Sequence, residues 1–302
     1  MYEVAQPYFS NQDISWIKKG VEKVLKGQLS TGPYVKEFEE KFAKQVGCKY
    51  AVFVTNATAA LEISCKVLGL KEGDDVIVPG ETFVATGTCV TLNGGNLVFA
   101  EVDPDTFCMT LDEIKRRVTK NTKGVIIVHF GGYVSPDTLL IRDYCKNNKL
   151  FLIEDAAHAF GTTYQGKRIG SFGDIACFSF DGIKNITSGE GGCIITDDET
   201  ILQKVRDARL LGVEKDTNKR YAGERSWDFE TTTQGWRYHM SNIMAAIGNE
   251  QLKRFNRVYT FRPLFSRPTT SRYGSSKWDQ LGDWITCRFR AILLSKILLH
   301  YI

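Results

Sequence analysis

Short apolar runs rich in valine and isoleucine recur along much of the chain. They are YAVFVT (50–55), DVIVPG (75–80), NLVFAEVD (96–103), KGVIIVHFGG (123–132), LFLIEDAA (150–157), DIACFSF (174–180) and GGCIITDD (191–198). Each is short and bounded by Gly, Asp or Asn, which marks it as a strand buried on both faces. Amphipathic stretches lie between most of them, among them TAALEISCKVLGL (58–70), LDEIKRRVTK (111–120) and DTLLIRDYCKNNK (137–149). Strands separated by helices predict an α/β architecture over about residues 50–210, with a mostly parallel sheet covered by helices on both faces. Two further helices are predicted ahead of it. ISWIKKGVEKVLKG has apolar residues at helical spacing and a Gly stop, and PYVKEFEEKFAKQVG begins with Pro and ends with Gly.

In an open parallel sheet, ligands bind beyond the carboxyl ends of the strands. Asn56, Ala57 and Thr58 follow the first run and open a helix, where free N–H groups and a hydroxyl can cradle a phosphate. Asp155 ends the run LFLIED, a partly desolvated place where a carboxylate needs a cationic or hydrogen-bonding partner. His158 follows three residues later. A metal site from Asp155 and His158 has no second ligand cluster to support it, so no metal is assigned. Ser179 lies at the end of DIACFSF, and Lys184 comes just after it, before the turn SGEGG. Taken singly, the turn at 56–58 reads as a helix cap, His158 as a satisfied half-buried histidine, and Lys184 as part of a surface loop. Together, an anion cradle, a carboxylate and an amine match the needs of pyridoxal phosphate: phosphate on a helix N-terminus, ring nitrogen on an acid, aldehyde on a lysine. Phe83, in PGETFVATG after the second run, is the candidate for a ring stacked on that cofactor, with core packing as the competing reading.

Composition narrows the alternatives. The formal net charge is +4 with 25% charged residues, which gives no global case for nucleic acid. The first residues lack a basic-then-apolar signal pattern. The longest apolar run, AILLSKILLHYI, is too short to span a bilayer and carries Lys296, so no membrane partner is expected. The eight cysteines form no CxxC pair and mostly sit in apolar runs, as in a reduced cytoplasmic protein. Residues 255–302 break the rhythm: they carry eight basic and two acidic side chains and lack alternating strands and helices. The domain reading is therefore a cofactor-binding domain over 1–254, with an N-terminal helical segment over 1–48, and an atypical basic tail over 255–302.

Several stretches together resemble one family, the DegT/DnrJ/StrS group of nucleotide-sugar aminotransferases, which are fold-type I pyridoxal phosphate enzymes. They are GQLSTGPYVKEFEEKFA, NATAALEIS, VPGETFVATG, EDAAHAFGTTYQGKRIGSFGDIACFSF, KNITSGEGGCIITDD and GWRYHMSNIMAAIGNEQL, spread over about residues 5–255. The block from Glu154 to Asp198 is the most specific. The resemblance implies a mostly parallel seven-stranded sheet sandwiched by helices, with the small C-terminal domain largely missing or altered. By position, Lys184 matches the Schiff-base lysine and Asp155 the partner of the pyridine nitrogen. His158 matches the contact to the ring hydroxyl, and Phe83 the stacking aromatic. Ser179, Ala57 and Thr58 match phosphate contacts, and Thr31, in the STGP loop, lies on the substrate side. Arg237, in GWRYHMSN, stands where many relatives have an Asn that reaches the partner subunit's cofactor phosphate. The activity implied is amino transfer from L-glutamate to a keto sugar nucleotide in a homodimer. Relatives that dehydrate sugars carry His at the lysine position, so Lys184 points to transamination. A dehydratase or isomerase on the same scaffold, and a homologue with a sensing or assembly role, stay open as alternatives.

Overall fold

The structure, a computed structural model, describes residues 7, 9–213, 222, 230, 231 and 233–260. In chain order the elements are α1 (Asn11–Leu25), α2 (Pro33–Val46), β1 (Tyr50–Val54), α3 (Ala57–Val67), β2 (Asp75–Pro79), α4 (Ala85–Leu92), β3 (Asn96–Ala100), α5 (Leu111–Arg117) and β4 (Thr122–Val128). There follow α6 (Thr138–Asn147), β5 (Phe151–Asp155), β6 (Thr163–Tyr164), β7 (Lys167–Arg168), β8 (Ile175–Ser179), β9 (Gly192–Thr196), α7 (Glu199–Ala208) and α8 (Asn242–Thr260). The apolar runs form one seven-stranded sheet in the order β1-β9-β8-β5-β4-β2-β3. β2, β3, β4, β5 and β8 pair in parallel, whereas β9 is antiparallel to both β1 and β8. Six strands therefore end at the same edge, and β9 begins there.

The two faces of the sheet are sorted by the two-residue period of the strands. Val52, Val54, Val76, Val78, Ile153, Cys177 and Ile194 lie on one face with the core residues of α3, α4 and α7. Ala51, Phe53, Ala176, Phe178, Cys193 and Ile195 lie on the other with those of α2 and α8. Farther along that second face, Ile77, Val125, Ile127 and Leu152 join Ile114 of α5 and Ile141 of α6. Aromatic rings fill the middle of the α2–α8 layer. Phe38 stacks on Phe53 at 4.0 Å, and Phe42 has Phe160 stacked at 5.2 Å with Phe178 edge-on at 5.2 Å. Arg209 and Glu39, both buried, close this layer: Arg209 Nη1 donates to Glu39 Oε1 and to the Phe53 carbonyl, each at 2.7 Å.

The predicted helices are present, with local chemistry that explains their ends. Ser10 and Asp13 form a reciprocal capping box on α1, and α2 begins with Pro33 and stops at Gly47 in the left-handed region. α4 is a helix that the sequence pattern did not predict. Its sequence ATGTCVTL, rich in Thr and containing Gly87, has poor helix propensity, and packing on the sheet overrides it. α8 runs past residue 254 to Thr260, and the basic tail beyond residue 260 lies outside the described residues. Among the described residues no helix is long and apolar enough to cross a membrane.

Candidate active site

The site is built at the edge where the parallel strands end. The ladder sets Val128 beside Asp155, Asp155 beside Cys177, and Ser179 and Val54 on either side of Gly192. The ends of β1, β9, β8, β5 and β4 thus lie in one row, and the turns that follow them carry the candidate residues.

The β1–α3 turn leaves donors free. Asn56 caps α3 through its side chain, which accepts the Ala59 N–H at 2.8 Å, while its carbonyl accepts from Ala60. The N–H groups of Ala57 and Thr58 lie ahead of the first intrahelical bond and are not taken by the cap, so they remain available to an anion on the positive end of the helix. Gly192 makes the arrangement possible: a Cβ there would lie 2.2 Å from the Asn56 carbonyl oxygen and 2.7 Å from the Ala57 nitrogen. Both are backbone atoms, so Gly192→Ala is expected to push the turn out of place. Overpacking of this kind costs about 1–3 kcal/mol, and the variant should bind pyridoxal phosphate at least about tenfold more weakly in an equilibrium titration.

Asp155 ends β5 at 6% exposure. Its Oδ2 accepts the Thr86 hydroxyl at 2.9 Å, and Oδ1 accepts the Ala157 N–H at 3.2 Å. Thr86, fully buried in α4, is in turn 2.8 Å from the Thr82 hydroxyl. Each carboxylate oxygen keeps one lone pair for an outside donor. His158 lies on the turn after β5, with Nδ1 accepting the Gly131 N–H at 3.3 Å and the Phe130 ring edge-on at 5.8 Å. Burial lowers its pKa, and the Lys184 charge lowers it further against the pull of Asp155, so the ring favours the neutral form.

Lys184 follows β8, its N–H bonded to the Asp181 carbonyl at 3.0 Å. Its amine is half-buried and forms no hydrogen bond or ion pair among the described residues. Burial lowers its pKa, opposed by the carboxylates of Asp181 and Asp155. The charges of Lys184 and Asp155 both act on His158, and that of Asp155 acts on Lys184, which places the three side chains in one neighbourhood. Ser179 accepts the Asp181 N–H at 3.4 Å and sits across Gly192 from the β1–α3 turn. A half-buried free amine, a carboxylate with spare acceptors and uncapped N–H groups form a donor set that fits pyridoxal phosphate.

The remaining candidates stand differently. Phe83 is 68% exposed on the turn leading to α4, next to Val84 at 69%. Thr31 is fully buried, and its hydroxyl donates to the Met240 carbonyl at 2.8 Å, tying the 28–32 loop to the start of α8. Arg237 is exposed, its backbone bridged to Leu210. No contact among the described residues joins Thr31 or Arg237 to Lys184. Sequence reasoning passed over Thr86, His129 and Glu154. The Glu154–Asp155 doublet was a usable signal: consecutive strand residues face opposite sides of the sheet, so the two buried acids need separate partners.

An α/β protein with a lysine, a carboxylate and a helix N-terminus at the carboxyl edge of its sheet belongs to a recognisable class. The chain is a member of the DegT/DnrJ/EryC1/StrS aminotransferase family, whose pattern matches residues 12–265. It is 41% identical over 240 residues to the spore coat polysaccharide biosynthesis protein SpsC of Bacillus subtilis, covering 80% of this chain and 61% of that one. To the GDP-perosamine synthase of Vibrio cholerae it is 38% identical over 229 residues, covering 76% of this chain and 59% of that one. Among solved structures, the PMP form of Spr1654 from Streptococcus pneumoniae superposes with a TM-score of 0.76 at 29% identity, covering 86% of this chain and 69% of that one. The chain spans about three fifths of these curated relatives.

Proposed function

We propose that the protein is a pyridoxal phosphate-dependent aminotransferase that moves an amino group from L-glutamate to a keto sugar nucleotide, acting as a cytoplasmic homodimer in the biosynthesis of amino sugars for surface polysaccharide. The observation that carries this reading is the half-buried Lys184 amine, without a partner among the described residues and electrostatically coupled to Asp155 and His158. Family membership supports the reaction class, the name of GDP-perosamine synthase supports a sugar nucleotide as substrate, and that of SpsC supports a role in polysaccharide biosynthesis.

When bound, the cofactor supplies an aldehyde for the amine and a ring that takes up the electron pair left when a proton departs the donor's α-carbon. The chain's own residues do the rest. Ala57 and Thr58 N–H groups and the Ser179 hydroxyl bind phosphate oxygens at the positive end of α3. Asp155, held by Thr86, keeps the proton on the ring nitrogen. His158 would donate to the ring hydroxyl, and Phe83 would cover the ring. Lys184 Nζ would be the group that holds the aldehyde, and as a free amine it would take the α-proton of the donor as general base and return a proton as general acid. Its lowered pKa favours the neutral amine that aldehyde capture and proton abstraction require.

The test is a glutamate-dependent assay over a panel of keto sugar nucleotides, with 2-oxoglutarate and amino sugar measured together. Equal amounts of the two are expected. Dehydrated sugar formed without glutamate consumption would replace the reading with dehydration.

A further inference from the structure

Glu154 is fully buried and has no place in the proton transfers above, yet it is the most heavily hydrogen-bonded carboxylate near the site. Its Oε1 accepts the N–H groups of Phe172 and Gly173, each at 2.7 Å, and its Oε2 accepts the Gly170 N–H at 3.0 Å. The fourth partner is His129 Nε2 at 2.9 Å. Burial by itself raises the pKa of Glu154; the hydrogen bond and charge of His129, with the Gly173 and Phe172 N–H groups, outweigh it and leave the pKa lowered. An ionised carboxylate only accepts, so His129 must carry its proton on Nε2.

His129 starts the turn that reaches His158. Its N–H donates to the Asp155 carbonyl at 3.1 Å, and its carbonyl accepts from Gly132 at 3.1 Å. Gly131 and Gly132 follow with φ of 58° and 86°, a left-handed pair that directs the Gly131 N–H at His158 Nδ1. A backbone N–H only donates, so Nδ1 must be the bare nitrogen of a neutral ring. Phe130 meets the His158 ring edge-on, and Lys184 and Asp155 are the charged groups acting on it.

We infer that His129, anchored by Glu154, is a positioning residue for His158: it holds the 129–132 turn so that the Gly131 amide occupies Nδ1 and the ring's proton stays on Nε2. The His158 role it serves rests on the aminotransferase reading; the tautomer does not. A neutral histidine ring can exchange its donor and acceptor nitrogens, and a backbone amide on one nitrogen removes that freedom.

The experiment is long-range proton–nitrogen NMR of the His158 ring in the full chain without cofactor. The sequence has four histidines, so a His158→Gln sample assigns the signal. The expected result is a proton on Nε2 and none on Nδ1. His129→Phe, which keeps a ring but no donor, should give a mixture of tautomers and about tenfold weaker pyridoxal phosphate binding. His129→Gln, whose amide can still donate to Glu154, should restore both. A proton on Nδ1 of His158 in the unaltered protein overturns the inference, as does an unchanged tautomer in His129→Phe. If His129→Phe does not fold, the unaltered protein and His129→Gln decide it: Nδ1 protonation in either overturns the inference. Failure of the unaltered protein to bind pyridoxal phosphate would overturn the aminotransferase reading and leave the tautomer result standing.

Discussion

Lys184→Ala is expected to lower turnover at least about a thousandfold, because the same amine binds the aldehyde and moves the α-proton. The visible absorbance of lysine-bound pyridoxal phosphate should be missing from the variant and present in the unaltered protein. Folding should be unaffected. Among the described residues the Lys184 amine makes no hydrogen bond or ion pair that the substitution would break. Its pKa is lowered chiefly by burial, so the charged form is disfavoured in the fold, and removing it relieves that penalty. The midpoint of thermal unfolding without cofactor should therefore not fall. The pH dependence gives a second readout. Reaction with an aldehyde needs the neutral amine, so Lys184 should react at lower pH than a surface lysine, with reactivity rising as the pH passes through its lowered pKa. Peptide mapping after borohydride trapping would show which lysine is labelled. Full turnover in Lys184→Ala would remove the proposed mechanism.

Asp155→Asn is expected to reduce turnover by about 10²–10³-fold, the usual effect of losing one preorganised electrostatic partner in a desolvated site. The substitution is nearly isosteric, and the local bonds can adapt. The Asn oxygen can still accept the Ala157 N–H, and the Thr86 hydroxyl, which now donates to Oδ2 at 2.9 Å, can turn to accept from the new amide. The carboxylate charge is lost while the scaffold is retained. Cofactor should still bind through the β1–α3 turn and Lys184, so a loss of turnover with a visible spectrum retained separates Asp155 from Lys184. Unaltered turnover would mean that Asp155 does not hold the ring nitrogen's proton.

Much of this site could be read from the chain because its residues stand at the ends of strongly patterned runs. Asp155 closes an apolar strand and Lys184 follows another, and both positions are unusual for charged side chains. Thr86 gave no such signal, since ATGTCVTL has poor helix propensity and nothing local shows that the segment packs as a helix against Asp155. For Glu154 the doublet with Asp155 was a signal but its partners were hidden: its three backbone donors come from residues 170–173, and nothing local shows that the loop folds back onto β5. Thr31 shows the converse, for a polar residue in a motif loop turned out to be buried with its hydroxyl bonded to Met240.

By itself the sequence determined the main strands, most helices and the faces they present. Alternating side chains in β1 and β5 already decide which residues meet α3 and which meet the opposite layer, because a strand has only two faces. Gly, Pro and Asn at the boundaries set where most helices start and stop. The order of the strands, the reversed direction of β9 and the convergence at one edge were decided by the tertiary structure alone. They depend on which distant backbones share hydrogen bonds, and a period of two residues carries no information about that. The 2.2 Å separating a Gly192 Cβ from the Asn56 carbonyl belongs to the same category: the glycine is required only once β9 lies against the turn that opens α3.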